Sequence, residues 1–147
     1  MPEIIKDLDK WGMDLNKNEK GLINQRSFGA QSYRRTCYVG DYTGKELLST
    51  LIEKARSMDI DYKDNLYITD IITENGEAKG AIGYDMDNGE ITLINSNKVV
   101  IAAGGHTSIY DRSSSRKDEN TGDGVGLAYR AGADLMDMEF VQFHPTG

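Results

Sequence analysis

Asn120-Thr121-Gly122-Asp123-Gly124 opens a short Gly/Ala-rich stretch, and Asp137-Met138-Glu139-Phe140-Val141-Gln142-Phe143-His144-Pro145-Thr146-Gly147 follows it. In the first segment a buried-looking carboxylate, Asp123, sits among three glycines at the start of a helix expected over Val125 to Ala131 and stopped by Gly132. Helix N-terminal amides favour anions, and an aspartate there can accept those amides as an N-cap. The same carboxylate also suits hydrogen bonds from sugar or ribityl hydroxyls, the role acidic groups play in nucleotide sites. In the second segment His144 ends an apolar run, and Pro145 pushes it into extended geometry. His144 reads either as a satisfied structural residue or as one donor aimed at a small anion. Together the two segments can bring backbone close to a bulky anionic cofactor.

Upstream of these lies Lys98-Val99-Val100-Ile101-Ala102-Ala103, then Gly104-Gly105. A continuous apolar run of this length predicts a strand buried on both faces. The paired glycines read equally as a tight turn ending a central strand and as a place where a ligand approaches the backbone. From Asn65 to Asn95 the period is nearer two. Leu66–Ile72, Ala78–Tyr84 and Glu90–Ile94 are expected strands, separated by Asn75-Gly76 and Asn88-Gly89, so a three-stranded antiparallel meander is predicted. Helices are expected over Pro2 to Trp11, with Gly12 as its stop, and over Asp41 to Ser57. The second of these carries a capping-box pattern at Thr43 and Glu46, and a stripe of Leu47, Leu48, Leu51, Ile52 and Ala55 facing a core. Leu15 to Tyr38 reads as loop with short extended pieces. The fold class is α/β.

Composition bounds the function. A net charge of −7 over 147 residues argues against a general binder of nucleic acid or anionic membrane. No apolar stretch approaches the ~20 residues that span a bilayer, and Met1-Pro2-Glu3 lacks the regions of a signal peptide. The single cysteine, Cys37, excludes an internal disulfide and fits a reducing compartment. It reads as a small, partly buried side chain rather than a reactive thiol. Two histidines, His106 and His144, without Cys or paired acidic spacing give no metal signature. Gly122-Asp123-Gly124-Val125-Gly126-Leu127 is not a dinucleotide fingerprint, because Leu127 stands where the third glycine belongs.

In collinear order, Gln25-Arg26-Ser27-Phe28-Gly29-Ala30-Gln31-Ser32, Arg34-Arg35-Thr36-Cys37-Tyr38, Asp41-Tyr42-Thr43-Gly44, Val100-Ile101-Ala102-Ala103-Gly104-Gly105-His106-Thr107, Asn120 to Gly124, Asp137-Met138-Glu139 and Gln142 to Gly147 resemble the flavoprotein subunit of succinate dehydrogenase and fumarate reductase. The resemblance covers essentially the whole chain and extends to the superfamily that includes L-aspartate oxidase. It implies the middle and C-terminal part of a Rossmann-like FAD-binding domain, ending at the start of a capping domain. It implies FAD contacts at Ala103, Gly104, Gly105 and Asp123, backbone contact of Ile68 with adenine, and a hydrogen bond from His144 to a carboxylate of succinate or fumarate. No catalytic residue of that reaction falls within residues 1–147; the proton-transferring arginine would follow, and the pyrophosphate-binding loop would precede. A respiratory member would work with an iron–sulfur subunit and membrane anchor subunits, giving a cytoplasmic protein held peripherally at the membrane. Ala30, Lys45, Ala103 and Leu15 depart from the common pattern, where glycine, histidine, threonine and phenylalanine are usual. L-Aspartate oxidase or another soluble fumarate reductase is the alternative. The remoter one is a non-catalytic α/β interaction module whose glycines are all turns.

Overall fold

The computed structural model describes residues 2–29, 31–113 and 118–142. Residues 1–62 and 63–147 form two compact units.

In the first unit, α1 (Pro2–Lys10) ends as its sequence predicts. Gly12 takes φ +101°, the Gly12 amide bonds the Asp9 carbonyl at 3.1 Å, and the Met13 amide bonds the Leu8 carbonyl at 2.9 Å. That pair of bonds is a Schellman stop. It brings Leu8 and Met13 together, and with Leu15 they are the buried centre of this unit, against which Ile5, Ile23, Cys37, Val39 and Leu47 pack. The irregular stretch that follows holds β1 (Gln25–Arg26) and β2 (Thr36–Cys37), paired antiparallel. The Arg26 guanidinium stacks 4.4 Å from the Tyr38 ring centroid.

Helix α2 (Thr43–Arg56) falls within the expected span, but its start differs. Tyr42 is the N-cap, and Thr43 already belongs to the helix. The Thr43 hydroxyl accepts the Val39 amide at 3.0 Å instead of closing a capping box with Glu46. Of the predicted core stripe, Leu47 packs on the buried centre, whereas Leu48, Leu51 and Ile52 are exposed. The helical period is right, but the residues described supply cover for only one edge of that face.

In the second unit, β3 (Leu66–Glu74), β4 (Glu77–Asp85) and β5 (Ile91–Asn95) form the predicted antiparallel meander in the order β3-β4-β5. Asn75 and Gly76 both take positive φ, 52° and 78°. This is the two-residue turn that matches strand twist. The longer β4–β5 turn is closed by the Asp85 carboxylate, which accepts the amides of Asp87 at 2.8 Å and Asn88 at 3.2 Å. Glycines in β4 let the strands approach: a Cβ on Gly83 would meet the Tyr67 carbonyl oxygen at 2.3 Å. The β3–β4 register steps from Ile68↔Gly83 to Asp70↔Ile82, leaving Thr69 as a bulge. Helix α3 (Asp123–Arg130) packs beside β3 and stops at Gly132 with the same bond pattern as α1.

Val99 to Ala103 is not a strand. Val100 is 87% exposed, and no paired strand flanks the segment among the described residues. An apolar run becomes a central strand only if neighbours bond both of its edges, and here only one face finds partners.

Candidate functional site

Two loops of the second unit are stitched together. The Gly122 amide donates to the Gly105 carbonyl at 3.1 Å. The Gly105 amide donates to Asn120 Oδ1 at 3.1 Å, and the Ser108 amide to the Asn120 carbonyl at 3.1 Å. Asn120 itself sits at φ 55°, a conformation that Asn tolerates better than most residues. Glycine gives these loops room to lie close. A Cβ on Gly105 would stand 2.6 Å from Asn120 Oδ1, and one on Gly122 would stand 2.9 Å from Ile109 Cγ2.

The stitched loops aim α3. Gly122, left-handed at φ 82°, is its N-cap, and Asp123 is its first residue. Asp123 is therefore not the cap that its sequence position suggests. Its carboxylate instead accepts the Thr121 hydroxyl at 2.5 Å, and it is exposed rather than buried. One residue on, a Cβ at Gly124 would lie 3.0 Å from Ile101 Cγ2 and 3.4 Å from Ala103 Cβ. Absence of a side chain at Gly124 thus lets the helix lie close to the Val99–Ala103 segment.

Between these elements is a concavity of about 500 Å³. It is lined by Ile68 and Ile71 from β3, Ala81 from β4 and Leu127 from α3. Val99 to Ala103 forms one wall, and Asp123 stands as the sole charged group among its lining residues. The pocket is apolar with one hydrogen-bond acceptor of full charge. Such a lining takes a flat apolar ring system and fixes it through a hydroxyl-bearing substituent. A phosphate beside Asp123 is disfavoured by like-charge repulsion.

Ile68, Ala103 and Asp123, singled out separately in the sequence, line this one cavity. Gly104 and Gly105 continue from Ala103 without lining it. Gly104 takes φ +76° with nothing within 4 Å of a would-be Cβ, so its backbone faces open space. His144 lies outside the described residues, as do Ala30 and Ser114 to Lys117. The segment leading to His144 is held by Tyr110, whose hydroxyl donates to the Met138 carbonyl.

Two contributors carry no role that the sequence announces. Asn120 belongs to the quoted motif, but only the fold reveals that its side chain binds the loop containing Gly105. Arg130 donates from Nη2 to the Thr69 carbonyl at 2.6 Å and from Nε to Asp70 Oδ1 at 3.0 Å. These partners lie some sixty residues away in sequence, at a bulge that no local pattern marks.

The family described as FAD binding domain matches residues 1–147. The fumarate reductase (CoM/CoB) A-subunit of Methanothermobacter marburgensis is 42% identical over 146 residues, covering 99% of this chain and 26% of that protein. The succinate dehydrogenase flavoprotein subunit of Rickettsia bellii is 36% identical over 154 residues, covering 99% of this chain and 26% of that protein. Among solved structures, a quinol fumarate reductase chain from E. coli superposes with a TM-score of 0.92 at 35% identity, covering 99% of this chain and 25% of that one. A Mycobacterium smegmatis Sdh1 chain superposes with a TM-score of 0.82 at 36% identity, covering 99% of this chain and 26% of that one. The chain spans about a quarter of the length of the curated relatives it matches.

Proposed function

Because the chain belongs to the FAD-binding domain family over residues 1–147, we propose that it forms the middle and C-terminal part of the cofactor domain of a flavoprotein subunit that interconverts succinate and fumarate, ending where a capping domain begins. FAD, when bound, supplies the hydride chemistry. The observation that carries the reading is the shared cavity: Ile68, Ala103 and Asp123 meet around one apolar space with a single carboxylate.

Each residue then has a job that its chemistry allows. The Asp123 carboxylate accepts a hydroxyl of the cofactor's sugar or ribityl chain, as it already accepts the Thr121 hydroxyl. Ala103 and Gly104 offer backbone against the cofactor, the open space at Gly104 supporting that approach. Gly105, whose amide and carbonyl are engaged by Asn120 and Gly122, offers close approach without a free polar group. Ile68 lies on β3, the edge strand of the meander, and lines the cavity, so its backbone can meet adenine from the open edge. His144 donates to a carboxylate of the dicarboxylate substrate and orients it. A respiratory protein of this kind would assemble with an iron–sulfur subunit and membrane anchors, which would hold it at the cytoplasmic side of a membrane. No helix among the described residues is long and apolar enough to cross one.

The test uses two variants of the whole flavoprotein subunit that contains residues 1–147. Asp123→Ala is expected to weaken FAD binding roughly ten- to hundredfold, since a charge-assisted bond contributes about 1.5–3 kcal/mol. His144→Ala is expected to weaken binding of succinate or malonate by a similar factor while FAD retention stays within about twofold. Equal loss of cofactor and dicarboxylate in His144→Ala, or unchanged FAD affinity in Asp123→Ala, contradicts the assignment.

A further inference from the structure

We propose that Arg130 is a positioning residue of the cofactor cavity, fixing the spacing of its two walls by holding the carbonyl of the bulged residue Thr69. The inference rests on the cofactor reading above and adds a residue to it.

The bulge is the starting point. Ile68 pairs with Gly83 and Asp70 with Ile82, so Thr69 has no partner across the ladder. A bulge leaves its extra residue's backbone outside the regular pairing. The Thr69 hydroxyl turns inward to the Ile82 carbonyl at 3.2 Å, and its own carbonyl accepts Arg130 Nη2 at 2.6 Å. The Arg130 Nε bonds Asp70 Oδ1 at 3.0 Å. One planar guanidinium therefore grips two consecutive residues of β3 from two different nitrogens, in a fixed fork that an ammonium point charge does not reproduce.

The grip joins the two sides of the cavity. Ile68, immediately before the bulge, lines one side. Arg130 ends α3, whose Asp123 and Leu127 line the other. The path of the side chain is kept clear one turn earlier, where a Cβ on Gly126 would come within 3.3 Å of Arg130 Nη1. A surface ion pair alone contributes little, and the Arg130 and Asp70 side chains are each about half exposed. The consequence of the clamp is thus geometric: it sets where β3 and α3 stand relative to each other.

The experiment measures FAD affinity of the apoprotein of the whole flavoprotein subunit that contains residues 1–147 by titration, beside the thermal midpoint of the same apoprotein. Arg130→Ala is expected to raise the FAD Kd roughly three- to tenfold, because the spacing of β3 and α3 must then be fixed at the moment of binding. Millimolar methylguanidinium should restore part of that affinity, whereas equimolar sodium chloride should not. Arg130→Lys should recover little, because a flexible ammonium does not hold the two acceptors in the fixed fork that the guanidinium imposes. A merely structural arginine would lower the thermal midpoint and leave the FAD Kd of the folded protein unchanged. An Arg130→Ala Kd within about twofold of wild type overturns the proposal. If Arg130→Ala fails to fold, Arg130→Lys decides in its place, and a wild-type Kd there overturns the proposal. Wild-type apoprotein that takes up no FAD overturns the cofactor reading itself, and the clamp with it.

Discussion

Gly83→Ala turns the tight β3–β4 contact into a measurement. The added methyl would stand 2.3 Å from the Tyr67 carbonyl oxygen and 3.0 Å from Ile68 Cα. An ordinary carbon–oxygen contact begins near ~3.3 Å, so the overlap is about 1 Å. Both neighbours are backbone, and no rotamer change relieves it. Overpacking costs about 1–3 kcal/mol, and a backbone obstacle puts this case at the upper end. Replacing glycine also narrows the unfolded ensemble, which returns about 0.4–1 kcal/mol. The net is a loss of about 2 kcal/mol, or roughly a thirtyfold rise in the open population of the sheet. Native-state hydrogen exchange of the β3 and β4 amides reads that rise directly. FAD affinity should fall in parallel, because the displaced residue, Ile68, lines the cavity. Exchange protection within about 0.5 kcal/mol of wild type would show that the strands can part without cost, and the account of this glycine would be wrong.

The other substitutions test separate links. Gly44→Ala places a methyl in the first turn of α2, where nothing lies within 4 Å and φ is not positive; it should stabilise the first unit by about 0.5–1 kcal/mol, seen as a higher urea midpoint, and a lower midpoint counts against the described start of α2. Asn120→Ala removes the acceptor of the Gly105 amide and puts alanine at φ 55°. Loss of about 1–2 kcal/mol is expected, read as roughly five- to thirtyfold faster exchange at the Gly105 amide, with unchanged exchange refuting the stitch.

What the sequence discloses follows from how local each cause is. Asn75-Gly76 needs only its own backbone preferences to make a hairpin, and the meander stands where the period places it. Gly12 and Gly132 stop their helices because left-handed φ is a property of one residue. The start of α2 is harder. Thr43 and Glu46 have the spacing of a capping box, but the Val39 amide competes for the same hydroxyl, and that competitor comes from the preceding turn. Asp123 shows the same limit: a carboxylate near a helix start is legible, while the choice between cap and first turn depends on Gly122 adopting a left-handed conformation. The Arg130 grip is out of reach of the sequence, since it requires knowing that Thr69 bulges.

The segment from Val99 to Ala103 separates two meanings that an apolar run carries. Composition reports what the residues need, which is burial. Strand geometry reports what their backbone has, which is hydrogen-bonded neighbours. Here the two part company. Ile101 and Ala103 meet the helix at Gly124, and the segment walls the cavity, so one face has found its environment. Val100 is exposed, and the backbone bonds no neighbouring strand among the described residues. An extended backbone of this kind is costly to leave unpaired once water is excluded, but tolerable while it stays wet. The wall of the cavity is therefore its least constrained side. The β3 and α3 sides are fixed by the sheet, the stitched loops and the Arg130 grip, whereas Val99 to Ala103 is placed chiefly by side-chain contact with α3. A ligand in the cavity would cover that wall's apolar atoms and contribute burial the chain does not itself provide, at about 25 cal/mol per Å². On this reasoning, a cofactor bound in the cavity would cover the apolar side of Val99 to Ala103 that faces it and so favour the observed placement of that wall.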